Sequence, residues 1–372
     1  MPRLVVSGYY GFGNLGDEAI LEALLASLHS RFPEAEAVVL SGNPRETERL
    51  HRVRAVHRSH LPSIIRELRR ADLFLSGGGS LLQDVTSLRS LFYYLGLIRL
   101  ARLLGCPVAL YAQGVGPLER RLSRRAVARA LRDVELITVR DGESAELLRE
   151  LGVDGRVVVT ADASLALVPA PRERVALPLE RLASAPRPWV GVGLRPWRGG
   201  GDAEFFASLL ELVRSRVGGS LILLPMHGPE DLPLARAVER KLPGIRVWEG
   251  ELPPSVFAAL VREFDLILAM RLHLLIFATL GMVPMVGLSY DPKVESFLHQ
   301  IGLDSWCIRF GELDGEKVAR MAGQALEKAP MIRETLGESL PLLKVRAESN
   351  HELVWGLLEQ EISFPGGRGK GD

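Results

Sequence analysis

The chain has little cysteine, little lysine, no excess of charge of either sign and no long uninterrupted hydrophobic run. Its two cysteines, Cys106 and Cys307, are too few for a disulfide framework or a cysteine-rich zinc site, so a reducing compartment is expected. Lysine occurs only at positions 241, 293, 317, 328, 344 and 370, which leaves the basic residues overwhelmingly arginine. With 46 Lys and Arg against 45 Asp and Glu, the formal net charge is +1, and the general electrostatic footprint of a nucleic-acid binder is missing. No nucleic acid partner is therefore expected. A hydrophobic fraction of 47% argues against disorder. The most apolar stretch, Leu272 to Leu288, is interrupted by His273, Gly281 and Pro284, which suits a buried helix and strand better than a membrane span. Met1 is followed by a polar start and at once by a strand pattern, Leu4-Val5-Val6-Ser7, without the apolar core of a signal peptide. A cytoplasmic protein is expected. No His/Asp/Glu cluster has ligand spacing, and neither a metal nor a cofactor is expected.

What is present is an alternation of short β-rich runs with longer stretches of helical periodicity, the pattern of parallel sheets covered by helices. At 372 residues, two domains are the default. In the first half the strands read Leu4 to Ser7, Ala37 to Leu40, Leu73 to Ser76, Val108 to Ala112, Leu136 to Val139 and Val157 to Thr160. A cluster of prolines at 169, 171, 178, 186 and 188 resists both helix and inner strand and reads as a connection. The second half restarts at Trp189 to Gly193 and continues through Leu221 to Leu224, Arg246 to Trp248, Leu266 to Leu268, Val283 to Gly287 and Cys307 to Phe310. From Ser339 to Glu361 the pattern is helical, and Phe364 to Asp372 is a Gly-rich polar tail expected to be mobile. The fold class is α/β, with two doubly wound Rossmann-like domains over 1–170 and 189–362, a linker at 171–188 and a tail at 363–372. Two such domains in series leave a cleft that the strand ends of both can face.

The strand ends carry the chemistry. Ala269-Met270-Arg271-Leu272-His273 sets a permanent cation and an imidazole two residues apart where a strand hands over to a helix ending at Gly281, the edge where open α/β sheets bind ligands. Arginine offers a fork for phosphate or carboxylate, and histidine moves protons near neutral pH. The structural alternative pairs Arg271 with a carboxylate and makes His273 a hydrogen-bonded helix cap. Arg140, Arg195 and Lys293 stand at other strand ends, as does Ser289, and if these edges converge the cations make an anion pocket with His273 inside it. His227 reads as a loop residue. Gly11-Phe12-Gly13-Asn14-Leu15-Gly16 satisfies the dinucleotide fingerprint literally, yet the second strand ends Ser41-Gly42-Asn43 without an acidic ribose partner, and Asp17 would repel a pyrophosphate. NAD binding is not expected, and Asp17 alone reads equally as a helix N-cap. Ser76-Gly77-Gly78-Gly79-Ser80 points to close backbone approach, with Gln83 and Asp84 following; Asp84 fits either an acceptor-site base or a solvated helix residue. Gln113-Gly114-Val115-Gly116-Pro117 and Arg140-Asp141 close two further strands.

These segments together resemble the polysaccharide pyruvyl transferases, in particular the bacterial branch that modifies secondary cell-wall polymers. The resemblance rests on Gly8-Tyr9-Tyr10-Gly11-Phe12-Gly13-Asn14-Leu15-Gly16-Asp17-Glu18-Ala19, Ser76 to Asp84, Gln113 to Pro117, Val139-Arg140-Asp141 and Met270 to His273, and spans about residues 1 to 295. It implies a two-domain arrangement resembling the GT-B fold. It also implies transfer of the enolpyruvyl unit of phosphoenolpyruvate to a sugar, typically N-acetylmannosamine on a lipid-linked saccharide acceptor, as a cyclic ketal with release of phosphate. Polymers modified in this way commonly anchor S-layer homology domains. The family's donor-binding Arg and His map onto Arg271 and His273, another donor-contacting arginine onto Arg140, and its acidic residue onto Asp17 or Asp84; Leu272, between Arg271 and His273, is expected on the donor side as well. Gly13, Asn14, Gly77, Gly78, Gly79 and Gln113 fall in the loops on the acceptor side.

The residue chemistry agrees with that implication. Phosphoenolpyruvate carries a phosphate and a carboxylate, which arginines can hold by bidentate contact. A proton must reach C3 of the enol phosphate before a hydroxyl attacks C2, and His273 beside Arg271 suits the general acid. Arg120, Arg121, Arg124, Arg125, Arg129 and Arg132 crowd one helical segment, and Leu88 to Leu104 mixes aromatic and leucine residues with arginines. Both could meet an anionic membrane surface or a pyrophosphate, or form a solvated face and an ordinary packing helix. The sequence leaves peripheral membrane contact and a homo-oligomer open. The rival readings are a nucleotide-sugar glycosyltransferase of the same architecture and a non-catalytic sugar or anion binder.

Overall fold

The computed structural model describes residues 1–153, 155, 157–196 and 202–363; the expected tail, Phe364 to Asp372, lies outside them. Two compact units divide the chain, the first formed by Met1–Leu167 and the residues from Lys344 onward, the second by Val168–Leu343.

The first unit holds β1 (Arg3–Ser7), β2 (Glu36–Ser41), β3 (Arg54–His57), β4 (Leu73–Ser76), β5 (Gly79–Leu82), β6 (Val108–Val115), β7 (Leu136–Val139) and β8 (Val157–Val159). They pair in the order β3-β2-β1-β4-β6-β7-β8, with β5 beside β6, and every pairing is parallel. Successive residues point to opposite faces and both faces are apolar, which is why these strands read as unbroken hydrophobic runs. Val5, Phe74, Val108, Leu110 and Ile137 pack among residues of the helices Leu61–Leu68, Leu88–Leu103 and Arg121–Leu131. Leu4, Val6, Leu73, Leu75 and Tyr111 pack with the helix Leu15–Arg31 and with Val354, Trp355 and Leu358.

β3 and β5 are strands that sequence patterning misses. β3 is a four-residue edge with exposed ends, and β5 opens on the last of three successive glycines and pairs only with β6, so neither carries a hydrophobic period of its own.

The second unit holds β9 (Trp189–Gly193), β10 (Ser220–Leu223), β11 (Arg246–Val247), β12 (Leu266–Ala269), β13 (Met285–Ser289) and β14 (Cys307–Arg309), in the order β11-β10-β9-β12-β13-β14 and again all parallel. In both sheets the chain winds outward from a central strand, then returns to its other side. The points where strand order reverses are β1/β4 and β9/β12, and the strand C-termini there are where such sheets bind ligands.

Two sequence expectations are corrected. The segment 171–188 is not a bare linker: it forms a turn of 3-10 helix at Arg172–Val175 and a helix at Ala176–Glu180, buries Val175, Leu182 and Ala185, and bonds the Ala170 amide to the Ser255 carbonyl, all within the second unit. Prolines at the starts of helical turns need no donor there, so proline density did not mean an open connection. The C-terminal helix, expected in the second domain, runs Ala329–Ser363, and from Lys344 it belongs to the first unit. Its Asn350 meets Thr160 at 2.7 Å and the Ala161 carbonyl at 3.1 Å, Trp355 Nε1 donates to Ser27 Oγ at 2.9 Å, and Glu359 accepts from Arg31 at 2.8 Å. Periodicity shows which face of a helix is apolar, not which sheet receives it.

Candidate active site

In the first unit, the glycine-rich loop after β1 enters the helix Leu15–Arg31 through Asn14, whose side chain accepts from the Gly16 amide at 3.1 Å. Asn14, rather than Asp17, is therefore the N-cap. Asp17 and Glu18 are both buried in the first turn. Glu18 accepts from the Gly11 amide at 2.8 Å and meets His51 Nε2 at 2.7 Å, so it fixes the loop from below. Gly79 adopts φ +90, and a Cβ there would lie 2.7 Å from Asp17 Oδ1. Only glycine gives the turn from β4 into β5 both that backbone and that approach to the carboxylate. Burial raises the Tyr10 pKa well above its usual value, and Asp17 and Glu18 push it further in the same direction.

At the same strand ends, Ser7 Oγ, Tyr10 OH, Ser76 Oγ and Gln113 Oε1 are buried with no hydrogen-bond partner among the described residues. Gln113 Nε2 reaches the Ser76 carbonyl at 3.5 Å. Ala112, just before Gln113, has φ 48, and the β6/β7 register breaks between Leu110 and Gln113. A left-handed alanine inside a strand costs energy that only a special position repays. Gly77 and Gly78 pack against Tyr10 and Ile20, while Gly13 is exposed in the loop.

Arg140 is buried behind this edge. Nη1 donates to Asp162 Oδ2 at 3.2 Å, Nη2 to Ser80 Oγ at 2.9 Å, and Nε to Asp141 Oδ2 at 3.4 Å. A Cβ on Gly114 would come within 2.8 Å of the guanidinium, so the glycine makes room for it. Asp84 is placed differently. Its oxygens accept from the Glu119 and Arg120 amides, each at 2.9 Å, ahead of the helix Arg121–Leu131. Burial alone would raise its pKa, but the Glu119 amide, the nearby Ser123 hydroxyl and the Arg120 amide hold it below its ordinary value. It is neither a solvated helix residue nor well tuned to take up a proton.

In the second unit, Arg195 follows β9 and Arg271 follows β12, the two strands that flank the reversal of strand order. Arg271 is the N-cap of the helix Leu272–Leu280, with Leu272 buried and His273 half-buried in the first turn. Its Nε donates to Asp231 Oδ2 at 3.0 Å, and its Nη2 pairs with Asp231 Oδ1 and, at 3.1 Å, with Glu230. Burial opposes the Arg271 charge, but Asp231 outweighs it, and the pKa rises. Asp231 is 1% exposed and also accepts from the Met226 and His227 amides at 3.1 and 2.9 Å. Glu230 is half exposed and stands among three cationic or titratable groups: Arg271, His227 Nδ1 at 3.3 Å and Arg195 Nη2 at 4.0 Å. Burial pushes its carboxyl up, and His227 and Arg271 more than reverse that.

Arg195 Nη1 donates to Tyr290 OH at 2.7 Å, and its guanidinium lies 5.0 Å from the Tyr290 ring centroid, with Lys293 Nζ at 5.5 Å from the same centroid. Lys293 pairs with Asp291 at 3.1 Å. Ser289 Oγ lies 2.9 Å from Glu295 and 3.2 Å from the Asp291 carbonyl. The structure thus gathers Arg195, Arg271 and Lys293 at one edge, each with an acidic neighbour, while Arg140 belongs to the other unit. Trp197, next to Arg195 in the sequence motif, lies outside the described residues. His227, read from sequence as a loop residue, is corrected to a buried N-cap beside Glu230. Glu230, Asp231 and Tyr290 were missed, since acids in a first helical turn are ordinary and only the tertiary contact with Arg271 sets these apart.

The architecture has solved counterparts. Anabaena HepE, in complex with UDP and glucose, is 12% identical with a TM-score of 0.64 over 97% of this chain and all of that one. A putative UDP-N-acetylglucosamine 2-epimerase from Listeria monocytogenes is 13% identical with a TM-score of 0.66, covering 96% of this chain and 97% of its own. A UDP-glucosyltransferase from Polygonum tinctorium is 14% identical with a TM-score of 0.59, covering 96% and 98%. At such identities the likeness establishes the fold, two Rossmann-like units of the GT-B-like kind. No curated protein matches the sequence. The family model for polysaccharide pyruvyl transferases matches residues 14–292, from the cap of the first helix past the Arg271–His273 turn to the start of the helix after β13. That span takes in both strand edges described above, and the chain belongs to the polysaccharide pyruvyl transferase family.

Proposed function

We propose that this transferase takes the enolpyruvyl unit of phosphoenolpyruvate and installs it as a cyclic ketal across two hydroxyls of a sugar, N-acetylmannosamine on a lipid-linked precursor, releasing phosphate. The observation that carries the reading is the placement of Arg195 and Arg271 after the two strands that flank the reversal of order in the second sheet, with His273 two residues from Arg271. Two guanidinium groups suit a donor with two anionic groups. Asp231 holds Arg271 from behind and is buried, whereas Glu230 is half exposed and can yield to an incoming anion.

In this reading His273 gives a proton to C3 of the enol phosphate. C2 becomes oxocarbenium-like and one sugar hydroxyl adds to it, giving its proton to an acidic side chain; the bond from C2 to the phosphate oxygen then breaks as the second hydroxyl forms the other C–O bond, and that hydroxyl's proton leaves with the phosphate. Asp17, buried against Gly79, is the better-supported acceptor for the hydroxyl proton, because both oxygens of Asp84 are engaged by backbone amides. The second unit takes the donor; the first takes the acceptor, whose hydroxyls suit the unpartnered Tyr10, Ser76 and Gln113 groups.

Phosphate release from phosphoenolpyruvate, measured against a panel of lipid-linked disaccharides, tests the proposal. The expected result is release that requires both donor and acceptor, with a ketal-bearing product. The second reading, a nucleotide-sugar transferase, draws on one solved neighbour in complex with UDP and glucose and another named as a UDP-glucosyltransferase. Turnover of a UDP-sugar with none of phosphoenolpyruvate would establish that reading instead.

A further inference from the structure

The chain is nearly neutral overall, yet residues 85–118 and 120–132 contain no Asp or Glu. Those segments supply two neighbouring helices on one face of the first sheet, Leu88–Leu103 and Arg121–Leu131. The outward positions of the first helix, Arg89, Phe92, Gly96, Arg99 and Leu103, recur at helical spacing, and so do Arg121, Arg125, Arg129 and Arg132 along the second. Between the helix ends, Arg99, Arg102, Arg129 and Arg132 line an open cleft of about 660 Å³ with Leu103 and Asp133. Arg102 pairs with Asp133 at 3.1 Å. Arg99, Arg129 and Arg132 have no carboxylate partner among the described residues. Leu103 is 84% exposed and Leu122 67%.

Helix dipoles explain only part of this. Arg102 and Arg129 sit in last turns, where a cation is favoured, but Arg121 and Arg125 sit toward the start of their helix, where it is not. Nor does the cleft suit the transferred substrate. Each helix ends where the following strand begins, so the cleft lies at the N-terminal edge of the sheet, opposite the edge that carries Asp17, in the first turn after β1, and Gln113, near the end of β6. A helix of this length separates the two edges by about 24 Å. Clustered arginines around exposed leucines, with Asp133 as the one carboxylate of the cleft lining, match an anionic lipid surface: the cations meet phosphate headgroups and the leucines reach the acyl boundary.

We propose that the outer face of these two helices, centred on the four-arginine cleft, docks the enzyme on an anionic bilayer. No helix among the described residues is long and apolar enough to cross a membrane, so the contact is peripheral. The inference deepens the proposed function by giving a lipid-linked acceptor a docking surface, and it rests on that reading for its purpose but not for its test.

The test is flotation of the full chain with vesicles of phosphatidylcholine alone or with one third phosphatidylglycerol. Binding is expected to the anionic vesicles only and to weaken as salt is raised. The combined variant Arg99→Gln/Arg129→Gln/Arg132→Gln should bind about tenfold or more weakly, with an unchanged melting curve. Leu103→Ser/Leu122→Ser should lose the binding that survives at high salt. Wild-type protein that ignores anionic vesicles, or an arginine variant that floats like wild type, overturns the proposal. Phosphate release with a water-soluble acceptor, unchanged in the same variants, keeps this result separate from the fate of the pyruvyl-transfer reading.

Discussion

Arg271 and Asp231 form a two-pronged pair in which the buried carboxylate grips Nε and Nη2 of the guanidinium and also binds the amides of Met226 and His227. The arginine's orientation is thereby set before any donor arrives, and one edge of its fork is already used. What remains for a ligand is the side toward Glu230.

The first prediction separates charge from shape at this pair. Arg271→Lys keeps the charge but cannot grip Asp231 and a donor oxygen at once, so the phosphoenolpyruvate KM should rise by about tenfold or more. Asp231→Ala leaves a buried guanidinium without its partner and should cost roughly 3–5 kcal/mol of stability. Asp231→Asn retains an oxygen for the two amides, so it should lose less stability while still raising KM. An Asp231→Asn enzyme with wild-type KM would show that the pair is structural only.

Glu230 should behave oppositely. Its carboxylate is the half-exposed member of the cluster and lies near Arg271, His227 and Arg195, where a donor anion would add to its charge. Glu230→Gln removes that competition, and donor KM should fall by roughly threefold or more, in line with an exposed charge pair of up to about 1 kcal/mol. The steady-state donor titration decides it. A raised KM would make Glu230 a support for Arg271 instead.

The strands were largely legible because a parallel sheet buried on both faces writes itself as apolar runs. Leu73–Ser76, Leu136–Val139 and Trp189–Gly193 fall where those runs place them. β3 was not legible, because its exposed ends break the run, and neither was the return of the C-terminal helix, because an apolar stripe does not name its partner. At the site, Arg271 and His273 stand out in sequence as polar groups between apolar runs. Asp231 and Glu230 do not, since an acidic pair in a first helical turn has an ordinary local reason. Asp84 shows the same limit in reverse: a carboxylate after a glycine-rich loop invites a catalytic reading, and only the Glu119 and Arg120 amides reveal its engagement.

Asp17 and Asp84 can be told apart by variants. Asp17→Asn should retain its melting curve and lose roughly 10² or more of kcat, as expected when a positioned base is removed. Asp84→Asn should act mainly on stability, by about 1 kcal/mol. Because the folded-state pKa of Asp84 is lowered, its contribution is present above the ordinary carboxylate pKa and is lost as pH falls through the lower folded value. The asparagine variant should therefore differ most from wild type near neutrality. Equal kinetic losses in the two variants would put Asp84 back at the reacting atoms.

A separate pH effect comes from His351 on the C-terminal helix. Its ring stacks between Tyr111 and Trp355, at centroid distances of 5.7 and 6.4 Å, and burial lowers its pKa to about 4. The unfolded chain takes up this proton near pH 6.5 and the folded chain only near 4, so stability is full above the first value and declines as pH falls toward the second. The decline should amount to a few kcal/mol. His351→Phe keeps a ring in the stack and removes the titration, so its denaturation midpoint should change less between pH 7 and pH 5. Parallel curves for the two proteins would show that His351 is already accessible to protons in the folded state.

His273 carries the mechanism. As the general acid, it acts on the enol carbon and contributes mainly to the transition state, so His273→Ala should bind phosphoenolpyruvate nearly as well as wild type and lose roughly 10² or more of kcat. A packing role predicts something else, since removal of a half-buried ring would cost about 1 kcal/mol of stability and activity would then fall only with the folded fraction. The pH profile gives an independent reading: a general acid must hold its proton, so the wild-type rate should decline on the alkaline side, and that limb should vanish or move in the residual activity of the variant. Turnover per folded molecule, donor affinity by calorimetry and the alkaline limb are thus three measurements of one assignment. Retention of most of the turnover by His273→Ala would place the proton donor elsewhere and leave Arg195 and Arg271 as binding groups alone.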